Sequence, residues 1–382
     1  MNERLKHRST YADAAYELLD HPGRMGQIVA RLLNRWTRNG PMPASVLGAP
    51  KAELLEGFLQ RMEPNESDTL SIPFERGLDL VLHDLKLIKN GQETPWGRPV
   101  LLILGGGKAG VRAAGQVVAL QEAGLGGIFD VVGISVGSFI GAYFLCNIKS
   151  AAWGTTLFSQ EANSPAFHSR LGTRMNLDYL ISRMREGRKR IDFGSIQAGQ
   201  PGFFVLVTRT DGSIAIVDMK RQSPEDFFAY MKASASLPFV HGKTVVNGRE
   251  LWDGGIVDPL PIKAILSMFG HGKRPILVLA NGPYSPPHAS GATGLERGVA
   301  VGLSMAGMDI HAATAARLES YAKNLEWVRR NPALPIGMMF SPPDKLNVLS
   351  KDANQLRAAG YAAHIDALIR LHRAGLLDSP AT

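Results

Sequence analysis

The feature that most constrains the fold is the apolar run Pro99-Val-Leu-Leu-Ile-Leu104, which ends directly in three glycines. A strand without any polar alternation is typical of a parallel sheet that is covered by helices on both faces. A helical pattern follows, from about Val111 to Ala123, and ends at Gly124, a common residue just past a helix. The run therefore predicts a buried strand, a glycine turn and a helix, which together begin an α/β fold.

Strand and helix patterns then alternate along the middle of the chain. Helical patterns, such as Pro224–Lys232 and Ile262–Phe269, separate several strand-like runs. These runs are Val131–Ile134, Phe203–Thr208, Ile214–Val217, Thr244–Val246 and Pro275–Ala280. Such alternation predicts an α/β fold with a largely parallel central sheet flanked by helices.

The chain of 382 residues is long enough to bury a deep core, and its patterns divide it into three predicted regions. Residues 1–95 form a helical N-terminal region, 96–285 the α/β core, and 286–382 a helical C-terminal region that packs on the core. Within the last region, the helical stretches Gly298–Val328 and Leu356–Leu371 flank a proline-rich link at Pro332–Pro343.

Composition and hydropathy favour a cytoplasmic protein. The single cysteine, Cys146, rules out an internal disulfide and suits a reducing compartment. The N-terminal residues carry charge but no apolar run, so they do not resemble a secretory signal. The segment Ile128–Ile148 is long enough to cross a membrane. However, its regularly spaced glycines and β-branched residues favour a strand, a turn and a helix.

The net charge of +8 favours anionic partners, and part of it is concentrated in Arg183-Met-Arg-Glu-Gly-Arg-Lys-Arg190. The simpler reading of this segment is a solvated loop or helix end. The functional reading is a peripheral contact with an anionic membrane, where each cation contributes about 1 kcal/mol. Nucleic acid has only the net charge in its favour, and we do not expect it as a partner.

The first motif is Leu104-Gly-Gly-Gly-Lys-Ala-Gly110, between the first strand and its helix. Its glycines satisfy the dinucleotide pattern G-x-G-x-x-G, but such a turn attracts a pyrophosphate or a developing oxyanion equally well. Asp130 has about the right spacing to bind a ribose, yet it precedes its strand, on the wrong side of the sheet. A Walker loop also fails, because Lys108 is followed by Ala109 and not by Ser or Thr.

The second motif, Gly133-Ile-Ser-Val-Gly137, fits the G-x-S-x-G elbow that raises a nucleophilic serine at the end of a sheet. An apolar strand precedes it, and Phe139–Asn147 continues as an apolar helix. Ser135 would then lie at a helix N-terminus, where the helix dipole stabilises negative charge. The context favours a nucleophile, with Gly133 and Gly137 as the elbow glycines, over a serine that is merely packed.

The third motif is Trp252-Asp-Gly-Gly-Ile-Val-Asp-Pro-Leu-Pro261. An acidic residue before two glycines is most often part of a turn. Here the motif follows Lys243–Leu251, which is predicted to form a hairpin turning at Asn247-Gly248. Asp253 would act as a general base if its carboxylate came within hydrogen-bond reach of a serine hydroxyl.

Together and in this order, the three motifs resemble the patatin-like phospholipase family. The likeness covers about Arg98 to Ala280, and Lys232-Ala-Ser-Ala-Ser-Leu-Pro-Phe239 is similar to the alanine- and serine-rich segment of that family. The resemblance implies a three-layer α/β fold and a Ser–Asp dyad, with Ser135 as nucleophile and Asp253 as base. It assigns the oxyanion hole to the amides of Gly105, Gly106 and Gly107.

The implied activity is hydrolysis of a fatty-acyl ester through an acyl-enzyme, with a lipid as substrate and without a cofactor. It needs no metal, and the sequence has no His/Cys/Asp cluster at ligand spacing.

Two positions depart from the family pattern. Ala109 occupies the place of the arginine in the family's glycine loop, so Lys108 or Arg112 would have to supply the missing cation. Asp258 lies five residues after Asp253, where the family often has asparagine. A second carboxylate there would either raise the pKa of Asp253 or simply bond the backbone.

Three alternatives remain open. An α/β-hydrolase with a Ser–Asp–His triad would use His271 or His288, which follow Asp253 in the expected chain order. A nucleotide- or lipid-binding protein would use the glycine loop without any catalysis. An inactive family member would serve as a scaffold.

Overall fold

The computed structural model describes residues 72–92, 94, 96–161, 164, 166–167, 175–237, 241–270, 274–283, 317–342, 344, 346, 350 and 352–377. The helical patterns that were predicted before residue 72, and the first part of Gly298–Val328, lie outside these ranges.

The described strands are β1 (Val100–Ile103), β2 (Asp130–Ile134), β3 (Phe203–Arg209), β4 (Ile214–Asp218), β5 (Thr244–Val246), β6 (Arg249–Asp253), β7 (Ile276–Leu279) and β8 (Ile336–Met339). The described α-helices are α1 (Ile72–Lys89), α2 (Val111–Glu122), α3 (Val136–Cys146), α4 (Ile148–Ser159), α5 (Leu177–Arg185), α6 (Phe193–Ala198), α7 (Pro224–Ser234), α8 (Ile262–Phe269), α9 (Arg317–Arg330) and α10 (Ala353–Arg373).

All eight strands join one sheet in the order β5-β6-β3-β2-β1-β7-β8, with β4 paired to β3. Strands β3, β2, β1, β7 and β8 are parallel neighbours, whereas β4, β5 and β6 pair antiparallel. The predicted largely parallel sheet is therefore confirmed. The apolar run of the sequence forms β1, which lies between two parallel neighbours and is fully buried.

The sheet lies between two layers of helices. Leu101 and Ile103 of β1 belong to a cluster with α2, α3, α4 and α10. Val100 and Leu102 point to the opposite cluster, which includes α8 and α9. Because successive side chains of a strand alternate between faces, an apolar strand is stable here only with helices on both sides. The predicted three-layer α/β class is confirmed.

The C-terminal region is not wholly helical, because the proline-rich link contains strand β8, which pairs parallel with β7. Helix α1, from the predicted N-terminal region, packs on β8, where Gly77 approaches the carbonyl of Ile336 so closely that a Cβ would clash. Four residues between prolines carry too little periodicity to be recognised as a strand. Elements from both terminal regions therefore complete the sheet and its second helical layer.

The apolar segment Ile128–Ile148 contains β2, the elbow and α3, as its glycines predicted. Within the described ranges, no helix combines the length and the apolar character needed to cross a membrane.

The basic segment of the sequence begins in the last turn of α5. Arg183 and Lys189 both pair with Glu161, and Arg185 lies over the ring of Phe228 at 5.4 Å. Several cations of this segment are thus held by the protein itself, which agrees with the reading as a helix end.

Candidate active site

Two strands that end against each other bring the serine and the aspartate motifs together. On one edge of β3, strand β2 ends with Ile134 opposite Leu206. Strand β6 pairs with the following residues of β3 and ends with Asp253 opposite Val207. Strand β4 pairs with β3 over Phe204–Thr208 and therefore occupies the other edge of β3. Strands β2 and β6 thus share one edge of β3 and run toward each other along it. Ser135 and Asp253 therefore lie where the two strands meet.

Ser135 occupies a strained turn between β2 and α3. Its φ of 55° and ψ of −128° fall in a region that residues with a side chain rarely adopt. A Cβ at Gly133 would clash with the backbone of Ser138, and one at Gly137 with the carbonyl of Ile103. The two glycines are thus required by close backbone packing, as the elbow pattern predicts.

The alanine- and serine-rich segment holds both motifs. The amide of Ser135 donates to the hydroxyl of Ser234 at 2.9 Å, and the carbonyl of Ser234 accepts from Gly254 at 3.1 Å. The amide of Asp253 donates to the carbonyl of Ser236 at 3.1 Å. The sequence pointed to this segment only by its likeness to the family, and the contacts of Ser234 were not predicted.

Asp253 is a buried carboxylate with one oxygen that has no partner. Its side chain is 3% exposed, and its Oδ1 accepts from the amide of Gly255 at 2.8 Å. Its Oδ2 makes no hydrogen bond with the described part of the protein. Burial raises the pKa of Asp253 to about 6, against smaller lowering effects of Ser135, Gly255 and Arg317. The carboxyl therefore changes its charge close to neutral pH.

The hydroxyl of Ser135 is a neighbour of this carboxyl, because it lowers the pKa of Asp253 as a hydrogen-bonding group. By distance and angle, however, Oδ2 has no hydrogen-bond partner among the described residues. The two groups are therefore adjacent but have not closed a hydrogen bond. Catalytic hydrogen bonds are often long in a free enzyme and tighten when substrate binds.

The glycine loop after β1 lies against the serine. A Cβ at Gly105 would be 3.1 Å from the Cβ of Ser135 and 3.8 Å from its Oγ. None of the hydrogen bonds within the described residues uses the amide of Gly105, Gly106 or Gly107 as a donor. Three backbone donors without an acceptor in the described part of the chain therefore lie in the loop next to Ser135.

Asn281, which follows β7, holds this loop in place and was not predicted from the sequence. Its Nδ2 donates to the carbonyl of Leu104 at 2.6 Å and to that of Gly105 at 3.3 Å. Its Oδ1 accepts from the amide of Ala113 at 3.0 Å. A Cβ at Gly106 would lie only 2.8 Å from the Cβ of Asn281, so the loop and this side chain are in close contact.

Arg112 supports Asn281 and presents no uncompensated charge to the site. Its Nη1 donates to the carbonyl of Asn281 at 2.6 Å. Its Nε donates to Asp344 at 2.8 Å, and Nη2 bonds the other oxygen of that carboxylate. Lys108 is buried as well, with its Nζ 5.9 Å from the centre of the ring of Phe167. That Lys108 or Arg112 supplies the cation of the missing loop arginine stays a prediction.

Asp258 bonds the backbone, which is the second of the two roles considered for it. Its carboxylate accepts from the amide of Leu260 at 3.2 Å and from Nδ2 of Asn324 at 3.0 Å. It is not among the groups that shift the pKa of Asp253. His271 and His288 lie outside the described residues, so the triad alternative stays a prediction.

Asp130, the acidic residue considered for a dinucleotide-binding site, does not lie near the glycine loop. Asp130 begins β2, at the amino end of the parallel strands, where it pairs with Arg274 and accepts from the amide of Gly202 at 2.7 Å. The glycine loop lies at the carboxyl end, because it follows β1. Asp130 is therefore on the opposite side of the sheet, as the sequence predicted.

Comparison with known proteins identifies a family model, a curated relative and a solved structure that are similar to this chain. Residues 101–266 match the sequence model of the Patatin family, described as patatin-like phospholipase. A curated relative, Lysophospholipase NTE1 of Phaeosphaeria nodorum, is 28% identical over 185 residues, which is 45% of this chain and 11% of that protein. Among solved structures, the crystal structure of VipD from Legionella pneumophila superposes with a TM-score of 0.40 at 13% identity, over 72% of this chain and 67% of that one.

The resemblance that the three motifs predicted is thus confirmed, because residues 101–266 match the model of patatin-like phospholipases. The chain spans about a tenth of the length of the curated relative. The matched range contains Ser135, Asp253 and the glycine loop, whereas Asn281, Asp344 and Arg317 lie beyond it.

Proposed function

We propose that this protein is a serine hydrolase of fatty-acyl esters, with Ser135 as nucleophile and Asp253 as general base. The observation that carries the proposal is the pairing of a strained serine with a buried carboxyl that has a free oxygen and a pKa of about 6. A base with a pKa near the working pH is both largely ionised and able to accept a proton.

In the first half of the reaction, Ser135 Oγ attacks the carbonyl carbon of the ester while its proton moves to Oδ2 of Asp253. The tetrahedral intermediate carries its negative charge on the former carbonyl oxygen. The amides of Gly105, Gly106 and Gly107 would donate to that oxyanion, since they have no acceptor among the described residues and their loop contacts Ser135 through Gly105. The dipole of helix α3, which begins directly after Ser135, adds to this stabilisation.

Collapse of the intermediate breaks the bond between the carbonyl carbon and the alcohol oxygen. Asp253 returns its proton to the departing alcohol, and the acyl group stays on Ser135 as an ester. In the second half, a water molecule gives a proton to Asp253 and attacks the acyl carbon. The fatty acid leaves, and Ser135 regains its proton from Asp253.

Two findings support a dyad and a lipid substrate. The Ser135 hydroxyl is a neighbour of the Asp253 carboxyl and lowers its pKa, whereas a triad would place an imidazole between serine and aspartate. The match to patatin-like phospholipases and the relative named a lysophospholipase favour a fatty-acyl ester of a phospholipid or lysophospholipid.

A fluorophosphonate probe, which phosphonylates activated serines, tests the proposal. The whole protein, Ser135→Ala, Asp253→Asn and the control Ser150→Ala would be incubated with the probe, and the modified residue would be mapped by mass spectrometry. Ser150 is a matched control because it is also buried, 5% exposed, on helix α4. We expect labelling at Ser135 in the protein and in the control, and none in the other two variants.

Other outcomes would redirect the assignment. Labelling that disappears in His271→Ala or His288→Ala, in a protein that stays folded, would identify a triad. Absence of labelling in the folded protein, together with saturable nucleotide or lipid binding that Ser135→Ala leaves unchanged, would identify a binding protein instead.

A further inference from the structure

Helix α9 lies outside the matched patatin-like range and packs on the loop that follows Asp253. Asn324 donates from Nδ2 to both carboxylate oxygens of Asp258 at 3.0 Å and to the carbonyl of Leu260 at 3.0 Å. The hydroxyl of Ser320 lowers the pKa of Asp258 against the larger raising effect of burial, so it lies near that carboxylate. Asn324 therefore holds α9 against the loop that begins at the proposed base, with Ser320 on the same side of the helix.

Arg317, the first residue of α9, continues the same face toward Asp253. Residues 317, 320 and 324 are three and seven positions apart, a spacing that places them on one side of an α-helix. The positive charge of Arg317 reaches the carboxyl of Asp253 and lowers its pKa. The Nε of Arg317 is buried and has no hydrogen-bond partner in the part of the chain that the structure describes.

The other two cations near the glycine loop are engaged differently. Arg112 is neutralised by Asp344, and Lys108 is buried beside the ring of Phe167. Of the described cations, Arg317 is the one whose charge acts on Asp253. The residue as a whole is partly exposed, while its Nε is buried without a hydrogen-bond partner among the described residues.

The chemistry of the proposed reaction defines which part of the substrate meets Arg317. Asp253 returns a proton to the departing alcohol, so that alcohol must lie beside Asp253 when the bond breaks. The oxyanion points the other way, to the glycine loop. In a glycerophospholipid the departing alcohol is the glycerol that carries the phosphate, and the phosphate is a few bonds from the ester oxygen.

We propose that Arg317 binds the phosphate of the departing alcohol, so that the site selects glycerophospholipids, lysophospholipids included, over neutral acyl esters. The proposal rests on the function proposed above and adds its specificity-determining residue. A guanidinium group suits this task because its donors match two phosphate oxygens at once.

The test compares two substrates with the same acyl chain: 1-palmitoyl lysophosphatidylcholine, which carries phosphocholine on its glycerol, and 1-palmitoylglycerol, which carries no ionic group. The proteins are the whole chain, Arg317→Gln, Arg317→Lys and the control Lys323→Gln. Lys323 is on the same helix, and its side chain is 71% exposed and paired with Glu319. Its replacement removes the same charge from the helix without touching the site.

We expect Arg317→Gln to lower kcat/KM for the lysophospholipid about tenfold to a hundredfold, mainly through KM, which is the range for losing charge-assisted hydrogen bonds. For palmitoylglycerol, kcat/KM should change little when it is measured at a pH well above the range in which protonation of Asp253 lowers kcat/KM. Arg317→Lys should retain part of the preference, and Lys323→Gln all of it.

An equal loss of kcat/KM for both substrates, with the fall of kcat/KM at acid pH moved to higher pH in Arg317→Gln, would show that Arg317 acts only on Asp253 and would overturn the proposal.

A second measurement separates this result from a failure of the proposed function. Ser135→Ala, with and without Arg317→Gln, would be titrated with lysophosphatidylcholine and palmitoylglycerol. If binding of the lysophospholipid does not weaken selectively in the double variant, the assignment of Arg317 is wrong. If neither ester is hydrolysed by the whole protein, the hydrolase assignment fails independently of that result.

Discussion

The amide of Ser135 donates a hydrogen bond to the hydroxyl of Ser234 at 2.9 Å, and the carbonyl of Ser234 accepts one from Gly254 at 3.1 Å. A single residue at the end of helix α7 is therefore bonded to both the elbow and the loop of the proposed base. Such a link fixes the separation of two groups that come from distant parts of the chain. The rate of an enzymatic reaction is sensitive to displacements of about 1 Å between the reacting groups, here the proposed nucleophile and base.

Replacement of Ser234 by alanine should lower kcat about tenfold or more, because the elbow loses the acceptor that positions its amide. The measurement is kcat for a short acyl ester, together with the melting temperature. Ser150→Ala, at another buried serine, serves as control and should keep kcat within about twofold. Equal kcat values for both variants would show that Ser234 does not position the nucleophile.

Asn281 holds the glycine loop through the carbonyls of Leu104 and Gly105. Asn281→Ala should lower kcat about tenfold to a thousandfold and leave KM nearly unchanged, because a displaced loop loses its donors to the transition state but not to the bound ester. Asn147→Ala is a suitable control. It removes the N-cap of α4, which should cost about 1 kcal/mol of stability without an effect on kcat. A rise in KM alone would assign Asn281 to substrate binding instead.

The pH dependence of kcat/KM should follow the ionisation of Asp253. Its pKa is raised to about 6, and the base must be ionised to accept the proton of Ser135. The rate constant should therefore fall about tenfold for each pH unit below that pKa and level off above it. Initial rates with a neutral ester in a constant ionic-strength buffer measure the profile. An acid limb centred near the ordinary value of 3.8 would contradict the assignment.

Asp253→Asn should abolish hydrolysis and yet make the fold more stable at neutral pH. The folded-state pKa lies above the ordinary 3.8, so folding disfavours the ionised form and the native protein loses stability as the pH rises from about 4 through about 6. The neutral amide avoids this cost, which amounts to at most about 3 kcal/mol.

Melting temperatures of Asp253→Asn and the native protein at several pH values provide the measurement. The difference should be largest above pH 6, where the native carboxyl is ionised, and small below pH 4. A variant that is less stable than the native protein at every pH would show that the carboxylate contributes to the fold.

Ala109→Arg, which restores the family residue of the glycine loop, should destabilise this protein. Ala109 is 4% exposed, and an arginine there would bury a charge in a tightly packed turn. The expected loss is more than about 3 kcal/mol in the free energy of unfolding, whereas the smaller change Ala109→Ser should cost much less. Urea unfolding followed by circular dichroism measures both. An Ala109→Arg protein of native stability and higher kcat would indicate that the loop has room for the arginine.

The sequence by itself determined the features that depend on local pattern and on backbone sterics. The buried run at β1, the strand-to-helix elbow at Ser135 and the hairpin before Asp253 were predicted because hydrophobic periodicity and glycine spacing act over a few residues. Their order along the chain was also enough to indicate the family, which the match over residues 101–266 confirmed.

The tertiary structure alone decided which residues support these motifs. Asn281 holds the glycine loop and Asp344 pairs with Arg112 behind it, and nothing in their neighbouring residues marks either one. Ser234 lies in a segment that the likeness to the family marked, but only the structure shows that it bonds the elbow and the loop of Asp253. Strand β8 was missed for a related reason, since four residues acquire a strand conformation by pairing with β7 and not from their own pattern. Ser135 and Asp253 become neighbours only because β2 and β6 end at adjacent positions of β3, and strand register is a long-range property of the folded sheet.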